Sequence, residues 1–214
     1  MAGNKFNYSG YIRFLMTGRF FTFEGIDGSG KTTVSRLVYE ALRQDHDVKW
    51  TKEPTGGWTG EAVSRAVKEG LDAVTVSLLF TADRNQHVRE IRRWLSDGTT
   101  VLCDRYVHST IAYQSVHLAE HVQSPFDWIR SLHRPFYLPP CLTFLFVLDV
   151  DTALHRIRDR CHSPFERRDF LEQVQHNYVH LAREEHFEVL DATESREALA
   201  EICIKKIREE MGDQ

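Results

Sequence analysis

The amino-acid sequence predicts a three-layer α/β/α fold, in which helices cover both faces of a five-stranded parallel sheet. Five short apolar runs, rich in β-branched and aromatic residues, alternate along the chain with stretches of helical periodicity. Strands that alternate with helices form parallel sheets, because each helix returns the chain to the same end of the next strand. With 214 residues, of which 42% are hydrophobic, the chain is long enough to enclose the core of such a fold.

The first strand and the loop after it carry the clearest motif. Phe20, Phe21 and Phe23 precede residues 25–32, which fit G-x-x-x-x-G-K-[ST], and apolar residues recur at helical spacing from Val34. Glycines let backbone N–H groups turn toward anionic oxygens, lysine neutralises phosphate charge, and the threonine hydroxyl can bind Mg²⁺. Strand, loop and helix in this order predict a P-loop NTPase; a flexible Gly/Ser turn is the alternative. We expect nucleotide phosphates on Gly25, Ile26, Asp27, Gly28, Ser29, Gly30, Lys31, Thr32 and Thr33.

The second strand is predicted at residues 47–51 and is ended by the Pro- and Gly-containing segment 52–57. Loops of this kind lie at the carboxyl ends of strands, where open α/β sheets bind ligands. A short helix is expected at residues 60–67, and a longer one at residues 74–97 that Gly98 ends. The longer helix has more apolar positions than a narrow core-facing stripe requires.

The third strand, predicted at residues 99–103, is apolar and β-branched and ends on Asp104. A buried strand would bring this carboxylate to the sheet edge, where it can join Thr32 as an oxygen ligand of Mg²⁺. The alternative is that Asp104 only caps the following helix. Arg105 comes next, and the nearby phosphate loop favours a phosphate clamp over a structural ion pair for it.

The remaining elements complete the alternation. Helices are predicted at residues 109–117 and 126–134, and the most strand-like segment is residues 142–148. Asp151 is expected to be the N-cap of a helix over residues 152–159. An amphipathic helix through residues 174–182, a strand at residues 187–190 and a terminal helix at residues 195–211 follow.

Basic residues flank a short break at residues 161–165. Arg156 and Arg160 lie four residues apart and therefore on one helix face. The pattern predicts a mobile lid at about residues 156–169 that would bring positive charge onto bound phosphates. A solvated charged hairpin explains the composition equally well.

Composition narrows the classes of partner. Lys+Arg 27 against Asp+Glu 31 give a net charge of −4, so we expect a small nucleotide ligand and no nucleic acid. No apolar run approaches the roughly 18 residues of a membrane span, and the four cysteines form no C-x-x-C pair. We therefore expect no membrane partner and a cytoplasmic protein. Residues 1–15 are interpreted as an N-terminal extension or arm, before a single P-loop domain at residues 16–214.

Together the motifs resemble the thymidylate kinase family, from about residue 20 to residue 208. The stretches that carry the resemblance are FEGIDGSGKTT (23–33), KEPTGG (52–57), LLFTADRNQH (78–87), LCDRYVHSTIAYQ (102–114), LFVLDVDTALHRIRDR (145–160) and FE (165–166). Their order and spacing make the resemblance specific. It implies transfer of the γ-phosphoryl group of ATP to dTMP with Mg²⁺, for dTTP synthesis, by a homodimer.

The resemblance implies catalytic roles near the phosphates. Lys31 and the loop amides would hold the donor phosphates, and Thr32 and Asp104 would organise Mg²⁺. Arg105 would hold the acceptor phosphate. The catalytic residues implied are Lys31, Arg105, Asp27, which would reach the sugar 3′-hydroxyl, and Arg160, which would pack near adenine from the lid.

The resemblance also implies an acceptor site. Phe80 would stack on thymine, Arg84 would bind a base carbonyl, and Tyr113 would crowd C2′ and disfavour ribose. The implied acceptor residues are Glu53, Pro54, Phe80, Arg84, Arg105, Ser109, Thr110, Tyr113, Gln114 and Phe165.

The sequence departs from the family pattern at two places. The phosphate loop has Gly28 and Ser29 where one branch of the family carries an arginine, which matches the branch with basic lid residues. Directly before Phe165, where the family often has arginine, this chain has Pro164. Candidates to supply the positive charge of that absent arginine are Arg158, Arg160, Arg167 and Arg168. Two alternative functions stay open: a nucleoside monophosphate or deoxynucleoside kinase with another acceptor, and a nucleotide-binding protein with weakened catalysis.

Overall fold

In a computed structural model, residues 17–157 and 168–213 are described. The strands are β1 (Phe20–Gly25), β2 (Val48–Lys52), β3 (Thr100–Asp104), β4 (Leu142–Val147) and β5 (Phe187–Asp191). The helices are α1 (Lys31–Leu42), α2 (Trp58–Glu69), α3 (Ala73–Ser96), α4 (Val107–His117), α5 (Pro125–His133), α6 (Val150–Ile157), α7 (Arg168–Glu184) and α8 (Arg196–Met211). The predicted N-terminal extension and the break at residues 161–165 of the predicted lid lie outside the described residues.

The five strands form one sheet in the order β2-β3-β1-β4-β5, and every pair is parallel. The predicted fold class is confirmed: a parallel sheet flanked by helices, as in P-loop NTPases. In the register of the sheet Asp104 lies opposite Phe23 on one side and Lys52 on the other. The loops that follow β1, β2 and β3 therefore meet at one edge.

The central strand β1 shows why the predicted strands are apolar at successive positions and do not alternate with polar residues. All six of its residues are buried, because helices cover both faces of the sheet. Phe23 stacks on Phe144 of β4 with ring centroids 5.3 Å apart, and the buried hydroxyls of Thr22 and Thr143 lie 2.8 Å apart. This packing holds the loop after β1 on a rigid base.

The main helix contacts are those of α2 with α3, of α1 with α8, and of α4 with both α5 and α7. Among the described residues, no helix is both long enough and apolar enough to cross a membrane.

The start of α6 corrects one prediction. The helix begins at Val150, and Asp149 Oδ1 accepts a hydrogen bond of 2.9 Å from the Thr152 amide. Asp149 is therefore the N-cap, and the prediction of Asp151 for that role was wrong. Asp151 lies inside the helix and instead accepts two hydrogen bonds, of 2.8 and 3.2 Å, from Arg168.

Candidate active site

The loop between β1 and α1 has the backbone geometry of a phosphate cradle. Gly28 has φ +84°, and a Cβ there would lie 2.4 Å from the Ala153 carbonyl oxygen, so only glycine fits. Gly30 has φ +88° and is the N-cap of α1, which has no side-chain cap. The N–H groups of the first turn of α1 thus stay available to an anion.

Lys31, the first residue of α1, is held inside this loop. Its side chain is only 6% exposed, its Nζ donates to the Ile26 carbonyl oxygen at 3.2 Å, and Asp27 Oδ1 lies 3.8 Å away. Burial, with help from the Arg105 charge, lowers the pKa of Lys31 to about 8. A phosphate group would stabilise the charged ammonium.

Thr32 and Asp104, the two residues predicted to bind Mg²⁺ through oxygen, lie next to each other. Thr32 Oγ1 donates to Asp104 Oδ2 at 2.6 Å, while Asp104 Oδ1 is buried without a partner among the described residues. Asp104 does not cap α4, whose N-cap is Tyr106. The described residues contain no cluster of three or more His, Cys, Asp or Glu side chains around a cation position. This donor set fits Mg²⁺, which usually binds one or two protein oxygens together with phosphates and water.

Arg105 follows β3 with φ +69°, a left-handed conformation that is uncommon for a residue other than glycine. Its guanidinium pairs with Asp27 and donates to Ser109 Oγ at 3.1 Å. Burial raises the pKa of Asp27, but Arg105 and then Lys31 outweigh that effect and lower the pKa to about 2. Arg105 and Asp27 therefore form an ion pair, whereas the pair considered from the sequence was with the neighbouring Asp104.

We call Asp27, Lys31, Thr32, Asp104 and Arg105 the loop cluster. Sequence reasoning missed the group that supports it, Glu24 of β1, which is fully buried. Its carboxylate accepts hydrogen bonds from the Tyr106 amide at 2.8 Å, Ser109 Oγ at 2.5 Å and Tyr178 Oη at 3.1 Å. Burial raises the pKa of Glu24. The signal in the sequence was an acidic residue inside an otherwise apolar strand.

A cavity of about 240 Å³ adjoins the loop cluster. It is lined by Asp27, Glu53, Pro54, Val63, Ser64, Val67, Phe80, Arg84, Arg105, Ser109, Thr110, Tyr113 and Gln114. Nine of the ten predicted acceptor residues thus line one cavity. The tenth, Phe165, lies outside the described residues.

A second buried group reaches the same cavity. Arg84 Nε donates to Glu53 Oε2 at 2.7 Å, and Arg84 Nη1 lies 2.7 Å from His133 Nε2. His87 Nδ1 lies 2.8 Å from Glu53 Oε1. We call Glu53, Arg84, His87 and His133 the histidine cluster. The sequence pointed to Glu53 and Arg84, but it did not indicate that His133 contacts Arg84.

Asp83 fixes the loop that carries Glu53. Its carboxylate accepts from the Thr55 amide at 2.8 Å, from Thr55 Oγ1 at 2.6 Å and from Thr59 Oγ1 at 2.8 Å. It therefore ties α3 to the segment after β2. Sequence reasoning missed this role also, because Asp83 contacts residues more than twenty positions away.

Two basic residues of the predicted lid are described. Arg156 Nη1 lies 3.4 Å from the Gly28 carbonyl oxygen and 3.3 Å from that of Ala192, so α6 is bonded to the phosphate loop. Arg168 pairs with Asp151 at the start of α7. The other predicted lid residues, Arg158, Arg160, Pro164, Phe165 and Arg167, lie outside the described residues.

The chain is similar to known proteins over most of its length. The family model described as thymidylate kinase matches residues 23–202. A probable thymidylate kinase of Methanosarcina mazei is 39% identical over 200 residues, which cover 91% of this chain and 97% of the relative. A probable thymidylate kinase of Methanoculleus marisnigri is 41% identical over 191 residues, covering 87% and 93%. One from Methanocaldococcus jannaschii is 39% identical over 181 residues, covering 84% and 89%.

Proposed function

The chain belongs to the thymidylate kinase family, a family of phosphotransferases, and on that premise we propose that it transfers the γ-phosphoryl group of ATP to dTMP, yielding ADP and dTDP. The observation that carries the proposal is that one cavity brings Asp27 and Arg105 together with Phe80 and Arg84. An arginine suited to a phosphate, a carboxylate suited to a sugar hydroxyl and an aromatic ring suited to a base thus line one space.

The chemistry requires neutralisation and positioning and no general base. The second pKa of a phosphate monoester is near 6, so the acceptor oxygen of dTMP is already ionised at pH 7. Catalysis then consists of holding mutually repelling phosphates in line and offsetting their charge. Lys31 and the amides of the loop would bind the donor phosphates, and Arg105 would bind the acceptor phosphate.

Thr32 and Asp104 would hold Mg²⁺. When bound, this ion neutralises charge on the donor phosphates. Asp104 Oδ1, buried and without a partner among the described residues, supports the assignment because a cation would satisfy it.

The direct test is ADP release in Mg-ATP with a panel of dTMP, dUMP, UMP, dCMP and dGMP. We expect the highest kcat/KM with dTMP. Comparable rates with all five acceptors, or no release with dTMP, would refute the proposal.

We also propose that the protein is a homodimer that associates through α3 and its flank. Leu78 of α3 and Leu71 just before it are two large apolar side chains that are 47% and 46% exposed in the single chain. Light scattering after size exclusion should give twice the chain mass of 24.9 kDa, and Leu78→Glu should shift the mass toward the monomer.

A further inference from the structure

Arg84 is an almost fully buried charge that nevertheless lines the cavity. Its side chain is 2% exposed, and its guanidinium has five N–H donors. Nε donates to Glu53 Oε2, Nη2 lies 2.5 Å from the same oxygen, and Nη1 lies 2.7 Å from His133 Nε2. These contacts use at most three donors, so at least two have no partner among the described residues and are left for a ligand.

The partners of His133 determine which of its nitrogens carries the proton. Nδ1 lies 2.8 Å from the Ile129 carbonyl oxygen, which can only accept. Nδ1 is therefore the protonated nitrogen, and Nε2 is left as the acceptor for Arg84. Burial and the Arg84 charge lower the pKa of His133 to about 3, so the ring stays neutral near pH 7.

We propose that His133 is a positioning residue for base selection, because its Nε2 lone pair fixes the orientation in which Arg84 presents N–H donors to the acceptor base. The inference rests on the proposed function. An arginine donates hydrogen bonds and accepts none, so it favours a ring carbonyl and disfavours an amino group at the same position. Selectivity for dTMP over dCMP would then depend on a side chain that does not itself line the cavity.

A purely structural role for His133 makes a different prediction. The ring is fully buried and packs edge-on against Phe136, so many substitutions would perturb α5. Two amide variants separate the roles. His133→Gln extends its amide to the position of Nε2 and can accept from Arg84. His133→Asn reaches only the position of Nδ1, so it can donate to Ile129 but leaves Arg84 Nη1 without an acceptor.

The experiment is titration calorimetry of dTMP, dCMP and ATP with the wild type, both amide variants and Ser131→Ala. Ser131 is a matched control, since it is exposed on the same helix and its hydroxyl donates to the Trp128 carbonyl oxygen at 2.7 Å. We expect the ratio of dTMP to dCMP affinity to fall about tenfold in His133→Asn and to change less than about twofold in the other two. The affinity for ATP should not change.

Three results would overturn the inference: an unchanged ratio in His133→Asn, equal loss in both amide variants, or a wild type that does not distinguish dTMP from dCMP. His133→Leu takes the place of His133→Asn if that variant unfolds below the assay temperature. Turnover of dTMP by the wild type tests the proposed function separately. If the wild type turns over dTMP but the ratio of dTMP to dCMP affinity is unchanged in His133→Asn, only the role of His133 is refuted. If the wild type does not turn over dTMP, the proposed function is refuted, and the affinity ratio still decides the role of His133.

Discussion

The loop cluster and the histidine cluster adjoin one cavity but differ in how completely their charges are satisfied. In the loop cluster the Asp27 side chain is 42% exposed, and Asp104 Oδ1 has no partner among the described residues. In the histidine cluster every residue is at most 4% exposed, and Glu53 and Arg84 form a buried ion pair. One group is incomplete without a ligand, whereas the other is already assembled.

This difference suggests a division of roles. Glu53 and His133 together engage up to three of the five N–H donors of Arg84, so the histidine cluster is suited to hold this guanidinium in one orientation and leaves the other donors to a ligand. The loop cluster contains groups whose pKa values respond to added charge, which suits the reversible binding of phosphates and a cation. We therefore expect substitutions in the loop cluster to change rate and those in the histidine cluster to change selectivity.

The largest effect is expected from Arg105→Ala in the loop cluster. Removing the charge that offsets the acceptor phosphate should lower kcat about 10³-fold, while the dissociation constant for ATP changes less than about threefold. Stopped assays of ADP release measure kcat, and calorimetry measures the dissociation constant for ATP. If kcat and ATP affinity fell by the same factor, Arg105 would not be specific to the acceptor phosphate, and the contrast between the two clusters would be lost.

A smaller effect is expected from Asp104→Asn. The amide keeps the shape of the side chain but lacks the charge, so the Mg²⁺ concentration for half-maximal activity should rise about 10- to 100-fold. Thr32→Ser, which keeps the hydroxyl, is the matched control and should change this concentration less than about twofold. An unchanged Mg²⁺ requirement in Asp104→Asn would exclude Asp104 as a ligand.

The pKa of Lys31 predicts a pH dependence confined to the free enzyme. Because burial lowers this pKa to about 8, the ammonium is charged below that pH and neutral above it. The kcat/KM for ATP should therefore fall about tenfold per unit above pH 8. At saturating ATP, kcat should stay level over that range, because bound phosphates raise the pKa. A fall of both together would contradict this assignment.

The smallest effect is expected at Tyr113, which lines the cavity next to Asp27. Replacing the ring in Tyr113→Ala should improve kcat/KM for UMP relative to dUMP about fivefold, because space opens beside C2′. Tyr113→Phe keeps the ring, so its ratio should match that of the wild type. If the alanine variant shows no improvement, the ring does not exclude ribose.

The loop cluster could be predicted from the sequence because its members lie in contiguous motifs. Residues 25–33 fit a motif that itself implies a strand, a phosphate-binding loop and a helix. Asp104 and Arg105 come at the end of an apolar run predicted as a buried strand, and that strand lies beside β1. The parallel sheet followed from the alternation of strands and helices. The cap of α6 was predicted at the wrong aspartate, because two acidic residues near its start were equally plausible in sequence.

The histidine cluster could be predicted only in part. Glu53 and Arg84 are 31 residues apart and came from the family resemblance, and His133 is 49 residues from Arg84 on another helix. In the helical pattern of α5, His133 is simply a buried position. Tertiary packing alone brings it to the guanidinium, as it brings Tyr178 to Glu24.

A crystal structure of the protein with dTMP would test the division of roles most directly. We predict that Arg105 contacts the phosphate of dTMP while Arg84 contacts a carbonyl of thymine and keeps its bonds to Glu53 and His133. A base that does not contact Arg84, or an Arg84 that leaves Glu53 and His133 when dTMP binds, would contradict the account.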